Sequence, residues 1–183
     1  RRMRRKDVPY LRRRIGIVFQ DYQLLTDRNV FQNLHFVLKA TGWKNELQIR
    51  SKIAEVLDMV SLQNKEYKMP FQLSGGEQQR IAIARVILKD APIVVLDEAT
   101  AFADPENEVL VQRAFAELSK DKTVIMIAHR LTTVRNADKI YVLKDGRIED
   151  AGTHEELVKS GSLYAKMWKD YQTSISWKVG GAK

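Results

Sequence analysis

Short apolar runs alternate with helix-patterned segments along the 183 residues of the chain. The runs at residues 15–19, 93–96 and 123–128 are continuous, which is typical of strands buried on both faces of a parallel sheet. Two further apolar runs flank Asp145 and Gly146, a dipeptide that favours a tight hairpin turn. Because strands that alternate with helices form parallel sheets, the pattern predicts an α/β fold.

Helical periodicity dominates residues 22–90, between the first two predicted strands. Apolar residues recur there at spacings of three and four, which places them on one face of a helix. The first stripe ends at Gly42, a residue that commonly stops a helix. The two stripes consist of Val30, Leu34, Val37 and Leu38, and of Ile49, Ile53, Val56, Leu57 and Val60. We therefore expect this block to form a helical lobe inserted into the α/β core.

Two capping signals mark the starts of further helices. Ser74 and Glu77 have the S-x-x-E spacing of a capping box, in which each side chain accepts a hydrogen bond from the other residue's backbone amide. Thr153 and Glu156 repeat this pattern near the C-terminus. The sequence therefore predicts helices that begin directly after Ser74 and after Thr153.

The composition is that of an ordinary soluble domain. Hydrophobic residues make up 44% of the chain and charged residues 30%. The chain is long enough to bury a substantial core, and it has no apolar run long enough to cross a membrane and no signal segment. The absence of cysteine excludes disulfides and thiolate metal sites and favours a cytosolic location.

Positive charge is concentrated at the N-terminus. The net charge is +8, and residues 1–14 contain eight Arg or Lys against one Asp. Such a cluster fits a solvated helix face, a membrane-surface patch or a nucleic-acid arm. We favour the solvated face, because the segment leads directly into patterned sequence. We do not expect nucleic acid as a partner, because single-strand binders add stacking aromatics and this segment offers only Tyr10.

The octapeptide LSGGEQQR, residues 73–80, carries the signals of a helix start that binds an anion. Gly75 and Gly76 let the backbone approach a ligand closely. The first turn of a helix offers unpaired amides and the positive end of the helix dipole, and Ser74 adds a hydroxyl. A plain capped helix explains S-x-x-E alone, but the full octapeptide is more specific. The chain has no G-x-x-x-x-G-K-[ST] loop to hold a nucleotide.

Polar residues end three of the predicted strands. Gln20 follows the first strand, Asp97 and Glu98 end the second, and His129 ends the third. Open α/β sheets bind ligands at the carboxyl ends of their strands, so we expect these side chains to share one site. Of two adjacent carboxylates, one suits Mg²⁺ and the other suits the activation of water. If each strand end is considered alone, simpler interpretations exist. Asp97 and Glu98 could form a solvated acidic turn, and His129 could have a structural role.

The motifs and their order along the chain resemble those of the nucleotide-binding domain of ABC transporters, and the resemblance covers nearly the whole chain. IVFQD resembles the Q-loop, LSGGEQQR the ABC signature and IVVLDEAT the Walker B motif. ADP lies where the D-loop belongs, and IAHR supplies the switch histidine. The resemblance implies a P-loop NTPase-like (RecA-like) parallel sheet with an inserted helical subdomain. We expect residues 1–21 and 91–183 to form the core portion and residues 22–90 the helical subdomain.

The resemblance also implies a role for each motif residue. In the family, two such domains pair head to tail, and the signature helix of one covers ATP bound by the other. The residues implied at the γ-phosphate of the partner's ATP are Ser74, Gly75, Gly76 and Gln78. Gln20 and Asp97 would approach Mg²⁺, with Gln20 also at the nucleotide, and Glu98 would polarise the attacking water. His129 would contact the γ-phosphate, and Asp104 would communicate across the dimer.

The implied ligands are ATP and Mg²⁺, and the implied function is to couple ATP hydrolysis to transport. The expected partners are a second ABC ATP-binding domain and a transmembrane transporter subunit or domain. We therefore expect the chain to lie in the cytoplasm, peripheral to the inner or plasma membrane. The first half of the chain resembles the cell-division and lipoprotein-release branch of the family, and the second half resembles the exporter branch.

Two features depart from the family pattern. No Walker A loop is present: VGGAK near the C-terminus lacks the Ser or Thr that should follow and the strand that should precede it. The D-loop reads AFAD in place of S-A-L-D. We therefore expect the chain to be inactive alone, as an incomplete ABC ATPase domain. The alternative is a non-catalytic partner that completes another chain's ATP site in trans.

The missing Walker A strand also has a consequence for the sheet. In the family, that strand lies beside the one that ends in the switch histidine, here residues 123–128. We favour a gap at this position over pairing with residues 139–143, and we expect low stability and aggregation of the isolated chain.

Overall fold

The computed structural model describes residues 4–97, 105–128 and 131–180. The chain divides into two compact units, residues 1–127 and residues 128–183. The predicted division into a core portion and a helical subdomain stays a prediction. Within the described ranges, no helix combines the length and the apolar character that crossing a membrane requires.

The first unit contains a parallel sheet in the order β1–β2–β3. In register, Val18 lies beside Leu96, and Asp97 lies beside Ile127. The strands are β1 Ile15–Val18, β2 Ile93–Asp97 and β3 Thr123–Ile127. The three strands predicted from the apolar runs are confirmed, and their carboxyl ends lie at one edge.

Helices of the first unit pack around this sheet and around each other. Val30 and Leu34 of the first predicted stripe and Ile49 and Ile53 of the second are at most 1% exposed, so both stripes face the core. The first stripe ends as expected, since Gly42 has a φ of 99° that turns the chain out of the helix. The described helices are α1 Val8–Arg13, α2 Val30–Ala40, α3 Glu46–Met59, α4 Gly75–Lys89 and α5 Pro105–Ser119.

Helix α4 lies directly against β1. A Cβ atom at Gly16 would collide with the side chain of Val86, so the glycine permits this close approach. At the end of the helix, Nζ of Lys89 donates to the carbonyl of Ile15 at 2.7 Å. The helix that carries the LSGGEQQR motif is therefore held against the strand that leads to Gln20.

Within the described part of the first unit, one face of the sheet is more exposed than the other. Val94 and Leu96 are buried on the face that meets the helices, whereas Ile17 and Ile125 on the opposite face are 40% and 50% exposed. Among the described residues β3 pairs only with β2, and residues 139–143, the alternative partner that would have closed the expected gap, lie in a strand that pairs in a different sheet. Parallel strands are normally covered on both faces, whereas the described residues of the first unit leave one face and the β3 edge of this sheet exposed.

The second unit is built on the predicted hairpin. β4 Ile140–Lys144 and β5 Arg147–Gly152 are antiparallel. Asp145 and Gly146 have φ of 49° and 75°, the left-handed conformation that a two-residue hairpin turn requires at both positions.

Helices flank this hairpin, and they are α6 Leu131–Val134, α7 His154–Lys159 and α8 Leu163–Gly180. The predicted capping box of Thr153 and Glu156 begins α7. Tyr164 is 1% exposed in the small core of this unit, and its hydroxyl lies 2.8 Å from Nδ1 of His154. The buried hydroxyl is thus paired, as buried polar groups require.

Candidate functional site

The start of α4 is fixed by the predicted capping box. Oγ of Ser74 accepts a hydrogen bond from the amide of Glu77 at 3.3 Å, and Oε2 of Glu77 accepts one from the amide of Ser74 at 2.8 Å. The other oxygen of Glu77 lies 2.9 Å from Nζ of Lys65. Burial acts to raise the pKa of the Glu77 carboxyl, but the Ser74 amide and the Lys65 ammonium outweigh it and lower that pKa. Glu77 is therefore ionised at neutral pH and holds the first turn in place.

Gly75 and Gly76 have identical side chains and different surroundings. A Cβ atom at Gly75 would meet nothing closer than the hydroxyl of Tyr22, at 3.9 Å. A Cβ atom at Gly76 would lie 2.7 Å from Cγ of Asn107 in α5. Neither glycine amide has a hydrogen-bond acceptor among the described residues. The Gly75 side of the helix start is therefore open to a ligand, whereas the Gly76 side is occupied by α5.

Gln78 is turned back toward its own helix. Its Nε2 donates to the carbonyl of Leu73 at 3.1 Å. This hydrogen bond stabilises the start of α4. It also occupies Nε2 of Gln78, a side chain that the sequence analysis assigned to the γ-phosphate. Contact of Gln78 with a γ-phosphate stays a prediction.

Gln20 and Asp97 lie at the carboxyl edge of the sheet. Asp97 is the last residue of β2, and Gln20 follows β1 by two positions, where it is exposed. Since β1 and β2 are parallel and paired, the structure brings both residues to one edge, as the sequence predicted. Parallel α/β sheets bind ligands at this edge.

An amide oxygen and a carboxylate fit Mg²⁺, which prefers oxygen ligands and retains several waters and substrate phosphates. Gln20 and Asp97 would hold it. The described residues contain no cluster of three or more His, Asp or Glu side chains that forms a complete protein cage for a metal ion. The donor set therefore suits a metal ion that is shared with a phosphate ligand.

Three residues assigned from the sequence lie outside the described residues. Glu98 and Asp104 fall between β2 and α5, and His129 follows β3. Their predicted roles stay predictions.

Tyr22 and Gln23 belong to the site and were missed by the sequence analysis. Both have positive φ, 58° and 43°, which is uncommon for residues with side chains. The carbonyl of Gln23 accepts a hydrogen bond from Arg85 of α4 at 2.6 Å. The segment after Gln20 is therefore tied to the helix whose start is the anion-binding candidate. Neither residue type favours positive φ, so the sequence gives no signal for this turn.

A groove of about 950 Å³ lies in the first unit between α1, β1, α2 and α4. Its described lining includes Arg12, Arg13, Arg85 and Lys89 and no acidic residue. Burial lowers the pKa of both Arg85 and Lys89, and no ion pair among the described residues includes either. The groove is thus positive, and its partly buried cations lack a carboxylate.

Matches to known proteins in sequence and in structure agree with one another. A family model described as "ABC transporter" matches residues 1–101. The mycobactin import ATP-binding/permease protein IrtA of Mycolicibacterium thermoresistibile is 45% identical over 162 residues, which are 86% of this chain and 18% of that protein. The chain therefore spans less than a fifth of this relative.

Two solved structures are also similar. A bacterial Atm1-family ABC exporter with ATP bound matches 89% of this chain and 29% of its own, with a TM-score of 0.73 and 31% identity. The dimeric ATP-binding cassette MJ0796, bound to ADP and Pi after hydrolysis, matches 83% of this chain and 68% of its own, with a TM-score of 0.71 and 29% identity.

Proposed function

Because the chain belongs to the ABC transporter family, as an ATP-binding domain, we propose that the start of its α4 binds the γ-phosphate of ATP held by a second such domain. The open surroundings of Gly75 carry this proposal. A phosphate at this position would meet the exposed Ser74 hydroxyl, backbone amides without acceptors and the positive end of a 15-residue helix.

The hydrolytic half of the proposal rests on the carboxyl edge of the sheet. There Gln20 and Asp97 would hold Mg²⁺, which neutralises charge on the phosphates. Glu98 would accept a proton from the attacking water, and His129 would donate a hydrogen bond to the γ-phosphate. Attack of water on the γ-phosphorus would break its bond to the bridging oxygen, releasing ADP and phosphate.

The present 183 residues contain no P-loop to hold the phosphates of a nucleotide of their own. We infer that the start of α4 acts in trans, by completing the ATP site of a second domain whose P-loop holds the nucleotide. This dimer would belong to a transporter at the cytoplasmic face of a membrane.

A trans-complementation assay tests this proposal. The chain would be mixed with an ABC ATP-binding domain that has an intact P-loop and a disabled signature motif. We expect the wild-type chain to restore ATPase activity to the mixture and Ser74→Arg to abolish the restoration, because the arginine side chain would fill the phosphate position. The measurement is phosphate release at saturating ATP.

The matched control is Ser61→Arg, since Ser61 is an exposed serine between α3 and α4. We expect this variant to restore activity as the wild type does. Equal restoration by Ser74→Arg, or none by the wild-type chain, would show that α4 does not complete a partner's site.

We further propose that the positive groove receives an acidic segment of the transmembrane partner. The argument is electrostatic: Arg85 and Lys89 are partly buried and donate only to backbone carbonyls, so a carboxylate placed between them would form charge-assisted hydrogen bonds. The relative IrtA is named as an ATP-binding/permease protein, which joins both functions in one polypeptide.

Photo-crosslinking in the cell that encodes the chain tests this partner. A photoreactive amino acid at Ala40, which lines the groove, is expected to form an adduct with a membrane protein, and Arg85→Glu should reduce its yield about tenfold or more by opposing an acidic segment. The control position is Leu47, which is 78% exposed on α3. Equal adducts from both positions would contradict docking in the groove.

A further inference from the structure

Asn107 connects the start of α5 to two positions on α4. Its Oδ1 accepts a hydrogen bond from Nη1 of Arg80 at 2.9 Å. Its Cβ and Cγ lie where a side chain at Gly76 would project. Gly76 and Arg80 are four residues apart and therefore lie on the same face of α4. The asparagine side chain thus touches both positions, sterically at Gly76 and through a hydrogen bond at Arg80.

The polar contact is partly buried, and its donor belongs to a buried side chain. Arg80 is 3% exposed, and its Nε has no hydrogen-bond partner among the described residues. Burial lowers the pKa of the Arg80 guanidinium, an effect that the nearby Glu77 carboxylate partly opposes. A buried cation is costly unless it is hydrogen-bonded, so loss of the Asn107 oxygen would be strongly unfavourable. The bond therefore constrains both helices.

We propose that Asn107 is a positioning residue that makes the first turns of α4 and α5 move together. The proposal rests on the function proposed above, in which α4 contacts the partner's ATP. Residues 98–104, which include Glu98 and Asp104, lead directly into α5. Because Asn107 lies in the first turn of α5, a displacement of the Ser74–Gly76 end of α4 is transmitted through Asn107 to the start of α5.

Amide hydrogen exchange on the full 183-residue chain tests the connection without any partner. We expect Asn107→Ala and Arg80→Met each to accelerate exchange of the hydrogen-bonded amides in the second turns of both helices by about 10- to 100-fold, because each removes a partly buried hydrogen bond to a charged group. Asn107→Asp should keep exchange slow, because its carboxylate still accepts from Arg80. The control is Gln112→Ala, which removes an exposed bond within α5.

Turnover in the complementation assay separates positioning from stability. We expect Asn107→Ala to lower kcat per folded chain about 10- to 100-fold with little change in the KM for ATP. Asn107→Asp should retain most of the kcat.

Hydrogen exchange and turnover each have an outcome that would overturn the positioning role of Asn107. Acceleration confined to the substituted helix, or a kcat per folded chain equal to wild type, would overturn the positioning role. If the wild-type chain fails to stimulate the partner domain, the function proposed above is wrong, and the exchange experiment still decides whether α4 and α5 are connected.

Discussion

Glu98→Gln is expected to lower ATP turnover by about 10²- to 10⁴-fold, the usual contribution of a general base, once a P-loop is supplied. The appropriate protein is a fusion in which a strand, a G-x-x-x-x-G-K-[ST] loop and a helix from an ABC domain precede Arg1. Asp97 ends β2 at the carboxyl edge of the sheet, where parallel α/β sheets bind ligands, and Glu98 follows it in the sequence.

Phosphate release by the fusion measures this effect. The unfused chain should release phosphate at the background rate, because it has no amide cradle for the phosphates. Glu108→Gln is the matched control, since Glu108 is an acid of α5 whose carboxylate bonds to Gln112 of its own helix. A fusion that is indifferent to Glu98→Gln would remove Glu98 from its role, and rapid turnover by the unfused chain would contradict the need for a P-loop.

The elements that the sequence predicted correctly are those with local causes. The capping box of Ser74 and Glu77 needs only the residues of one helical turn. The turn at Asp145 and Gly146 needs only two residues that tolerate positive φ. The parallel strands followed from continuous apolar runs, and their common direction brought Gln20 and Asp97 to one edge without further information.

The features that were missed depend on contacts between distant segments. Tyr22 and Gln23 adopt positive φ although neither residue type favours it, and Arg85, more than sixty residues away, bonds to the turn. The positive groove likewise combines residues of α1, β1, α2 and α4. No periodicity or motif encodes which helices will enclose a groove, because that depends on tertiary packing.

The two glycines of the LSGGEQQR motif show the same limit within one site. The sequence assigned both the same role, close approach of the backbone to a ligand. In the structure, a Cβ atom at Gly75 would make only an ordinary contact with the Tyr22 hydroxyl at 3.9 Å, and Gly76 makes room for Asn107. The first glycine is thus available to a ligand, whereas the second is needed for the packing of α5. Only the position of α5 distinguishes them.

The open face of the sheet is expected to cause self-association of the isolated chain. Ile17 and Ile125 are both in register with Val95 of the central strand, so they form one row across the face, with 40% and 50% of their surfaces exposed. Apolar surface beside an unpaired strand edge recruits other chains. We expect Ile17→Lys and Ile125→Lys each to shift the chain toward monomer, since a charged side chain opposes burial of this face.

Light scattering coupled to gel filtration measures the shift, and thermal unfolding accompanies it. Both substitutions replace exposed side chains, so each should change the free energy of unfolding by only about 0.5 kcal/mol. Leu47→Lys is the control, because Leu47 is 78% exposed on α3, away from the sheet. If the wild-type chain is a monomer with a sharp, high-temperature unfolding transition, the open face causes neither self-association nor low stability. If Leu47→Lys suppresses association equally, the shift toward monomer results from the added charge and not from its position on the sheet. Suppression by the sheet substitutions alone would identify this face as the surface through which the isolated chains associate.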